Sequence, residues 1–355
     1  MSKLSDYVSI KASKKELHGE KFWLLNLDMV EQHTGQVLDY LYVPAAELNG
    51  SIIQFDTDCV LYSKLRPNLN KVVLPQTDGY ATSEMLPLRP NTAVLSREYL
   101  AEYLRSDNFV NWAVSKTAGA KMPRLGTKEL LSKDITLPTL EEQAKIVALF
   151  QEIARLITLN KQQLAELDNL VKSRFIELFG AVNNEDTLIN LCTFIDYRGK
   201  TPEKADSGLP FITAKNIKMH YMSFDTQEFI SKETYDRVMT RGFPQVGDVV
   251  FTTEAPLGNV CRIPHIDTEF YIGQRIITMQ TQTLEPAYLE YALSAESFKS
   301  KLREKSSGST VTGIRSKLLE QLTIPVPERA VQREFAAFVE HTDKLKFCSS
   351  LEVAA

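Results

Sequence analysis

The segment Thr139-Leu-Glu-Glu-Gln-Ala-Lys-Ile146, which runs on without proline or glycine to Gly180, decides how this chain is organised. Thr139 and Glu142 have the spacing of a capping box, directly after Pro138. From Ile146 onward, apolar side chains recur at four-three spacing, which is typical of a helix that packs along another helix. The pattern predicts one long helix over 139–180. Its predicted packing seam contains Ile146, Phe150, Ile153, Ile157, Leu164, Leu167 and Val171.

A second helix with the same kind of start is predicted over 328–355. Phe335, Phe338 and Leu345 form its apolar seam, and the sequence stops at Ala355. This distal helix is therefore expected to cover only part of the central one. We expect the stretch from about Asn160 to Phe179 to lack a partner within the chain.

The two helices belong to a duplicated unit. A shift of 190 residues places Asp6 on Asp196, and a shift of 189 places Gln143 on Gln332. Chance similarity would scatter these offsets, whereas here they stay within two residues along the whole half-chain. The repeat predicts a domain followed by a helix, present twice: domain 1 over 1–138, the central helix over 139–180, domain 2 over 181–327 and the distal helix over 328–355.

Both domains have the pattern of mixed α/β structure. Short apolar and β-branched runs such as Cys59–Tyr62 and Leu209–Thr213 lie between turn residues and predict strands. Ser96 is a suitable N-cap for a helix over Arg97–Val114. In domain 2, Pro286 is suited to the first turn of a helix that runs to about Lys305.

Composition sets limits on function. The 355 residues carry 41 Lys+Arg and 45 Asp+Glu, so the surface is not basic throughout, although local basic patches remain possible. No apolar run is long enough for a membrane span, and the first residues lack a signal-peptide pattern, so we expect a cytoplasmic protein without a membrane segment. The widely spaced cysteines, without CxxC spacing, predict neither disulfides nor a metal site.

Signatures of catalysis are missing from the sequence. It contains no glycine-rich dinucleotide loop, no P-loop, no amino-methyltransferase motif and no hydrolase elbow. An alternative in which the chain is itself a DNA methyltransferase or nuclease is therefore disfavoured. We expect a chain that is not catalytic by itself and holds no cofactor.

Stretches that are depleted in acidic residues occur at matched places in the two domains. Asn108–Lys128 contains four cations and no acid, and Ser297–Lys317 contains six cations and one acid. Each surrounds a turn of small residues, where a backbone can approach a phosphate while lysine and arginine donate hydrogen bonds. A solvated helix end followed by a loop is the alternative, but recurrence in both copies favours DNA contact. The candidates are Lys116, Lys121, Arg124, Ser307, Arg315 and Lys317.

A second basic stretch, Lys64–Lys71, contributes Lys64, Arg66, Asn70 and Lys71 as further candidates. Arginine and asparagine read the edges of guanine and adenine through paired hydrogen bonds. The corresponding stretch of domain 2 is not basic. The nearby candidates there are Arg198, Lys200, Lys215 and Arg275.

The chain resembles the specificity subunit of type I restriction–modification systems. The resemblance rests on Leu137–Ile146 leading into a helix that ends with Ser173–Gly180, on Asp58–Pro67, and on Pro210–Thr213 and Gly247–Phe251 of domain 2. It implies two target-recognition domains separated by long conserved helices that form an antiparallel coiled coil with pseudo-twofold symmetry. Each domain is expected to read one half of a split, asymmetric site in double-stranded DNA.

The resemblance also implies partners. The helices are expected to dock two methyltransferase subunits, which bind S-adenosylmethionine, and a restriction subunit is a further expected partner. A methyltransferase subunit or a second copy of this chain is expected to cover the unpaired part of the central helix. Two alternatives stay open at this point: a specificity subunit of a type IIB-like enzyme, and a coiled-coil scaffold that joins two protein-binding modules.

Overall fold

The computed structural model describes residues 2–119, 121–197, 199, 201–273, 275–306 and 312–354, the last six of them as backbone alone. The chain divides into two compact units, Met1–Ile157 and Thr158–Ala355. The division falls inside a single long helix, so each unit combines a mixed helix-and-strand domain with part of that helix.

Unit 1 is built from short strands and a few helices. Its strands are β1 (Ser2–Lys3), β2 (Val8–Ile10), β3 (Lys21–Leu25), β4 (Leu41–Pro44), β5 (Ile52–Phe55), β6 (Val60–Ser63), β7 (Val72–Val73), β8 (Gly79–Thr82), β9 (Met85–Pro90), β10 (Thr117–Ala118), β11 (Arg124–Leu125) and β12 (Asp134–Ile135). Its helices are α1 (Arg97–Arg105), α2 (Asp107–Ser115), α3 (Thr127–Leu131) and the start of α4 (Leu140–Phe179), and 3-10 turns lie at Leu4–Asp6, Leu27–Met29, Ala45–Glu47 and Pro67–Leu69.

Unit 2 follows the same plan. Its strands are β13 (Glu185–Thr187), β14 (Thr193–Asp196), β15 (Leu209–Ile212), β16 (Ile217–Lys218), β17 (Tyr221–Met222), β18 (Phe229–Ile230), β19 (Val249–Thr252), β20 (Val260–Arg262), β21 (Tyr271–Ile272), β22 (Ile276–Gln280) and β23 (Thr323–Pro325). Its helices, after the rest of α4, are α5 (Leu188–Leu191), α6 (Lys232–Val238), α7 (Pro286–Ser294), α8 (Glu296–Lys305), α9 (Ser316–Glu320) and α10 (Arg329–Ala354).

One four-stranded sheet of each unit corresponds strand by strand to that of the other. The four-stranded sheet of unit 1 has the order β2-β9-β6-β7, and that of unit 2 has the order β14-β22-β19-β20. Each unit also has one parallel pair, β3 with β8 and β15 with β21. Large apolar side chains fill both cores, among them Trp23 and Phe109 in unit 1 and Phe251 and Tyr288 in unit 2.

A buried glutamine at the start of each long helix repeats in the two units. The side chain of Gln143 accepts a hydrogen bond from the Ser96 backbone N–H at 2.9 Å and donates to the carbonyls of Val94 and Pro138 at 2.8 and 2.9 Å. In unit 2, the side chain of Gln332 bonds the backbone in the same way, accepting from the Glu285 N–H at 3.0 Å and donating to the Pro327 carbonyl at 2.8 Å.

The two predicted domain helices each form as a pair of shorter helices. Ser96 caps α1 as predicted, because its side chain accepts from the Tyr99 N–H. Ser106 then has extended backbone angles, ends α1 and caps α2 by accepting from the Phe109 N–H. Pro286 lies in the first turn of α7 as predicted, and extended Ala295 separates α7 from α8. The break turns the second helix of each pair toward the core, where Phe109 and Phe298 are buried.

The long helix α4 begins with the predicted capping box. Glu142 N–H donates to the Thr139 hydroxyl at 3.3 Å, and the Glu142 carboxylate accepts from the Thr139 N–H at 2.8 Å and from its hydroxyl at 2.9 Å. These bonds lower the pKa of the Glu142 carboxyl, because they favour its charged form.

The distal helix α10 packs on the second half of α4, where the sequence predicted an unpartnered stretch. Antiparallel pairing of β13 with β23 brings the end of α4 beside the start of α10. The ion pairs Arg174–Glu334 and Asp168–Lys346 show that the two helices are antiparallel, because the residue numbers fall along α4 as they rise along α10. Phe335 and Val171 are fully buried in this contact, Phe338 is partly buried, and Leu164 and Leu167 are half-buried.

The exposed part of the central seam is therefore its first half, which corrects the prediction. Ile146 is half-buried and Val147 is buried in unit 1, but Phe150, Ile153 and Ile157 are exposed by 49%, 43% and 37%. Leu345, predicted to pack in the distal helix, is also exposed. The reason lies in the strand pairing: since α10 starts at the end of α4, it covers the C-terminal turns of α4 first.

Candidate nucleic-acid interface

In unit 1, the two predicted basic stretches meet at one backbone junction. Leu125 N–H donates to the Lys64 carbonyl at 2.9 Å, Arg66 N–H donates to the Pro123 carbonyl at 2.8 Å, and Lys64 N–H donates to the Glu84 carbonyl at 3.0 Å. The three segments come from positions far apart in the sequence. The fold thus brings the backbones of both stretches together at one site, which we call junction 1.

An arginine–glutamate pair spans junction 1. The guanidinium of Arg124 lies 3.2–3.3 Å from both carboxylate oxygens of Glu84, and both side chains remain partly exposed. Because such exposed pairs contribute little to stability, Arg124 can exchange its carboxylate for a phosphate or a base edge at small cost. Glu84 in turn offsets the positive charge of Arg124 at this surface.

Strands β10 and β11 form a hairpin that leads into junction 1. Thr117 pairs with Leu125 and Ala118 with Arg124, so the chain reverses between Ala118 and Arg124. Lys121 is exposed in this turn, and Lys116 is exposed where α2 ends. Arg66 is also exposed and has φ +49°, a left-handed conformation that is costly before a proline. The fold therefore holds the Arg66 backbone in place.

Two of the predicted DNA-contact candidates, Asn70 and Lys71, bond to the backbone within unit 1. Asn70 is 6% exposed and its side-chain amide donates to the Arg105 carbonyl at 2.8 Å. The ammonium of Lys71 donates to the Leu27 carbonyl, and burial lowers the pKa of this amine. Asn70 is therefore part of the interior of unit 1, and the half-buried Lys71 is bound to its backbone.

Unit 2 contains the equivalent of this junction, here called junction 2. Ile314 N–H donates to the Thr253 carbonyl at 3.0 Å, and Thr253 N–H donates to the Arg275 carbonyl at 2.8 Å. A bridge joins Glu254 to Gly313, as Leu65 joins Arg124 in unit 1. An arginine–glutamate pair again spans the junction, because Arg275 Nε lies 3.0 Å from the Glu254 carboxylate.

The structure describes some of the remaining DNA-contact candidates of unit 2 and not others. Arg315 and Lys317 are exposed at the start of α9, next to junction 2. Lys215 is exposed and lies 3.6 Å from Glu228. Arg198, Lys200 and Ser307 lie outside the described residues. The left-handed backbone at Arg66 recurs at Ala255, which has φ +45° and also precedes a proline, but alanine offers no polar side chain there.

Glu84 and Glu254 were missed at the sequence level, although each partners a predicted arginine. A basic loop, Lys11–Lys15, was also missed. The Ser13 hydroxyl donates to Asp56 at 2.6 Å and Arg89 Nε donates to the Lys11 carbonyl at 3.1 Å, so the loop is held while Lys11 and Lys14 stay exposed. The sequence repeat could have indicated this loop, because it follows β2 in the same way that the candidates Arg198 and Lys200 follow β14.

The described residues contain no group of three histidine, cysteine or acidic side chains able to hold a metal. Cys59, Cys192 and Cys261 are buried, and burial raises the pKa of their thiols to about 11, 12 and 12. Cys348 is exposed. Among helices in the described ranges, none combines the length and apolar character of a membrane span.

The sequence model of the type I restriction modification DNA specificity domain matches the chain twice, over residues 42–169 and 187–348. The chain belongs to this family. The two matches take in junction 1 and junction 2, one in each. They also favour the type I interpretation over the type IIB-like and scaffold alternatives.

Named relatives belong to the same class. The type I restriction enzyme EcoDI specificity subunit of Escherichia coli is 27% identical over 154 residues, which is 42% of this chain and only 34% of that protein. The type I restriction enzyme MjaVIII specificity subunit of Methanocaldococcus jannaschii is 23% identical over 297 residues, or 75% of this chain and 68% of that protein.

Solved structures share the fold. A chain from a structure of the assembly and conformational transition of the type I R-M system aligns with a TM-score of 0.62 at 20% identity, covering 99% of this chain and 93% of that one. The S subunit of the type I restriction-modification system from M. genitalium aligns with a TM-score of 0.57 at 14% identity, covering 99% and 91%.

Proposed function

We propose that this chain is the DNA sequence-recognition subunit of a type I restriction–modification complex and is not catalytic by itself. Each unit reads one half of a bipartite, asymmetric site in double-stranded DNA. One observation carries this proposal: junctions 1 and 2 share two backbone hydrogen bonds and a β-bridge but have different side chains. Lys64, Leu65 and Arg66 in unit 1 correspond to Thr253, Glu254 and Ala255 in unit 2. A backbone arrangement that is shared by both junctions but carries different side chains suits two domains that read different DNA sequences.

The DNA-contacting residues of unit 1 are then Lys64, Arg66, Lys116, Lys121 and Arg124, with the Lys11–Lys15 loop as a further phosphate contact. In unit 2 we assign this role to Arg275, Arg315 and Lys317, together with Lys215. For Arg198, Lys200 and Ser307 we retain the DNA-contacting role on the basis of the sequence pattern alone. Phosphate contacts made by these lysines fix position, while arginines facing base edges supply sequence preference.

The helices are the platform for the partners. We infer from the sequence repeat and from the antiparallel ion pairs of α4 and α10 that these helices form an antiparallel coiled coil with pseudo-twofold symmetry, and we assign to it the spacing of the two readers. An exposed apolar run on α4, formed by Leu149, Phe150, Ile153, Leu156 and Ile157, has the size and character of a protein interface. We assign it to two methyltransferase subunits, which supply S-adenosylmethionine and adenine methylation, with a restriction subunit as a further partner.

Methylome sequencing of a host that carries the chain with its partner subunits tests this proposal. The expected result is one asymmetric bipartite motif. Replacing residues 181–327 with the matching domain of another family member should change one half of the motif and leave the other half intact. A single palindromic motif, or a change in both halves after the exchange, contradicts two independent readers.

A further inference from the structure

A chain of ionic contacts in unit 2 joins its α/β domain to both long helices. It starts at Glu290 on α7, whose side chain is only 1% exposed. This carboxylate accepts from Arg262 Nε at 2.6 Å, and His220 Nδ1 lies 2.9 Å from its other oxygen. His220 also stacks on Tyr291, with ring centroids 4.2 Å apart. Glu290 is therefore held from two sides by residues of the domain.

Arg262 carries the contact from the domain to the helices. It stands at the end of β20, and its second guanidinium nitrogen lies 3.0 Å from the Asp343 carboxylate on α10. Asp343 lies 3.8 Å from Lys346, and Lys346 reaches Asp168 on α4 at 2.5 Å. Arg262 thus adds an ionic link from the edge strand to α10, and through Lys346 to α4, beside the buried contact that Tyr291 of α7 makes with Phe335 of α10.

Unit 1 has no counterpart of this chain of contacts among its described residues. The strand that corresponds to β20 is β7, which consists of Val72 and Val73 and is followed by Leu74. A shift of 189 residues places Glu290 on Ala101 and Asp343 on Ala154. Ala101 is fully buried among apolar side chains. Ala154 is exposed, so the comparison concerns the buried position: the same architecture is stable there with an apolar residue in place of Glu290.

This difference between the two units raises the question of what the charges of Glu290, Arg262 and Asp343 contribute. Taking a carboxylate and a guanidinium out of water costs about as much as their attraction returns, so apolar packing at such positions is often equally stable. What a hydrogen-bonded ion pair adds is direction, because each bond holds only over a narrow range of distance and angle. A rotation of the domain that moves Arg262 a few ångströms away from Asp343 would break the bond between them.

We propose that Arg262 is a positioning residue that sets the orientation of the second recognition domain on the paired helices, and thereby makes the complex selective for the spacing between the two half-sites. This inference rests on the proposed function. Without the contact, only the less directional apolar packing of α7 on α4 and α10 fixes the angle of the domain, and we expect the complex to accept half-sites that are displaced by one base pair. Recognition of bases within each half-site is left to the junctions.

The test uses the complete complex with its partner subunits and three DNA duplexes, with the native spacer and with one base pair added or removed. The measurement is the ratio of dissociation constants between altered and native spacers. Asp343→Ala removes the link to α10 and leaves the Arg262–Glu290 pair intact. We expect this ratio to fall about tenfold, while the penalty for a base change inside either half-site stays at the wild-type value. Lys344→Ala, which removes an exposed pair within α10 itself, is the matched control and should leave the ratio unchanged.

A folding defect is separated from a positioning role by two more variants. Arg262→Met leaves the buried Glu290 without its cation, and adding Glu290→Gln removes that buried charge and should restore thermal stability. If the double variant regains stability but not spacer selectivity, the positioning role is supported. If selectivity returns together with stability, or if Asp343→Ala keeps the wild-type ratio, the inference is wrong. A wild-type complex that prefers no DNA sequence overturns the proposed function, and this inference with it.

Discussion

Replacing Gln143 with leucine should destabilise unit 1 far more than an ordinary helix substitution. The Gln143 side chain is fully buried and makes three hydrogen bonds to the backbone, to the Ser96 N–H and to the carbonyls of Val94 and Pro138. Leucine has a similar size but leaves one donor and two acceptors without these partners at partly buried positions. Each such group costs about 1–3 kcal/mol, and the added apolar burial returns about 1–2 kcal/mol. The expected net loss is about 3 kcal/mol.

Hydrogen exchange measured by mass spectrometry resolves this loss by unit. Amides of residues 2–157 should lose about 3 kcal/mol of protection, and a thermal transition of unit 1 should fall by about 6–12 °C. Gln151→Leu, an exposed position on the same helix, should stay within about 0.5 kcal/mol of wild type. Gln332→Leu should produce the corresponding loss in unit 2. A loss below about 1 kcal/mol for Gln143→Leu, or an equal loss in both units, would refute the reasoning.

Three further outcomes follow from the charges of unit 1. Glu84→Gln should tighten binding of DNA by the complex several-fold at low salt, because it frees Arg124 and removes a negative charge from junction 1; weaker binding would mean that Glu84 holds Arg124 in its productive position. Lys121→Gln should reduce the slope of log affinity against log salt by about one if this lysine contacts a phosphate, and an unchanged slope would remove it from the interface. Burial acts to raise the pKa of Asp56, but hydrogen bonds from Arg89 and Ser13 outweigh it and hold this pKa below its ordinary value. Asp56 therefore stabilises the fold above a pH of about 4, and this contribution is lost as the pH falls through its lowered pKa. Asp56→Asn should cost about 2 kcal/mol at pH 7 in denaturant unfolding, and its deficit should shrink below pH 4; a constant deficit would show that packing dominates.

The DNA-binding tests of Glu84→Gln and Lys121→Gln each have a matched control variant. Glu47→Gln removes an exposed carboxylate elsewhere in unit 1, so it reports the effect of net charge alone. Lys145→Gln removes an exposed lysine from α4 outside junction 1. Both controls should alter DNA affinity less than the variants at the junction.

Local features of this chain were determined by sequence alone. The capping box of Thr139 and Glu142, the cap at Ser96 and the proline start of α7 all formed as predicted, because caps depend on residues three or four positions apart. The repeat was also readable, since equal offsets between halves need no structure to detect. The family followed from motifs that lie within these local segments.

Contacts between distant segments were decided by the tertiary structure. Whether Asn70 faces DNA or the interior depends on the Arg105 carbonyl, 35 residues away, and the charge of junction 1 depends on Glu84, 40 residues from its partner Arg124. The heptad pattern identified a seam on α4 but could not say which half would be covered. Pairing of β13 with β23 decided that, because it joins segments on either side of a whole domain and so starts α10 at the end of α4. A periodic pattern marks a face of a helix, and only the path of the chain determines what lies against it.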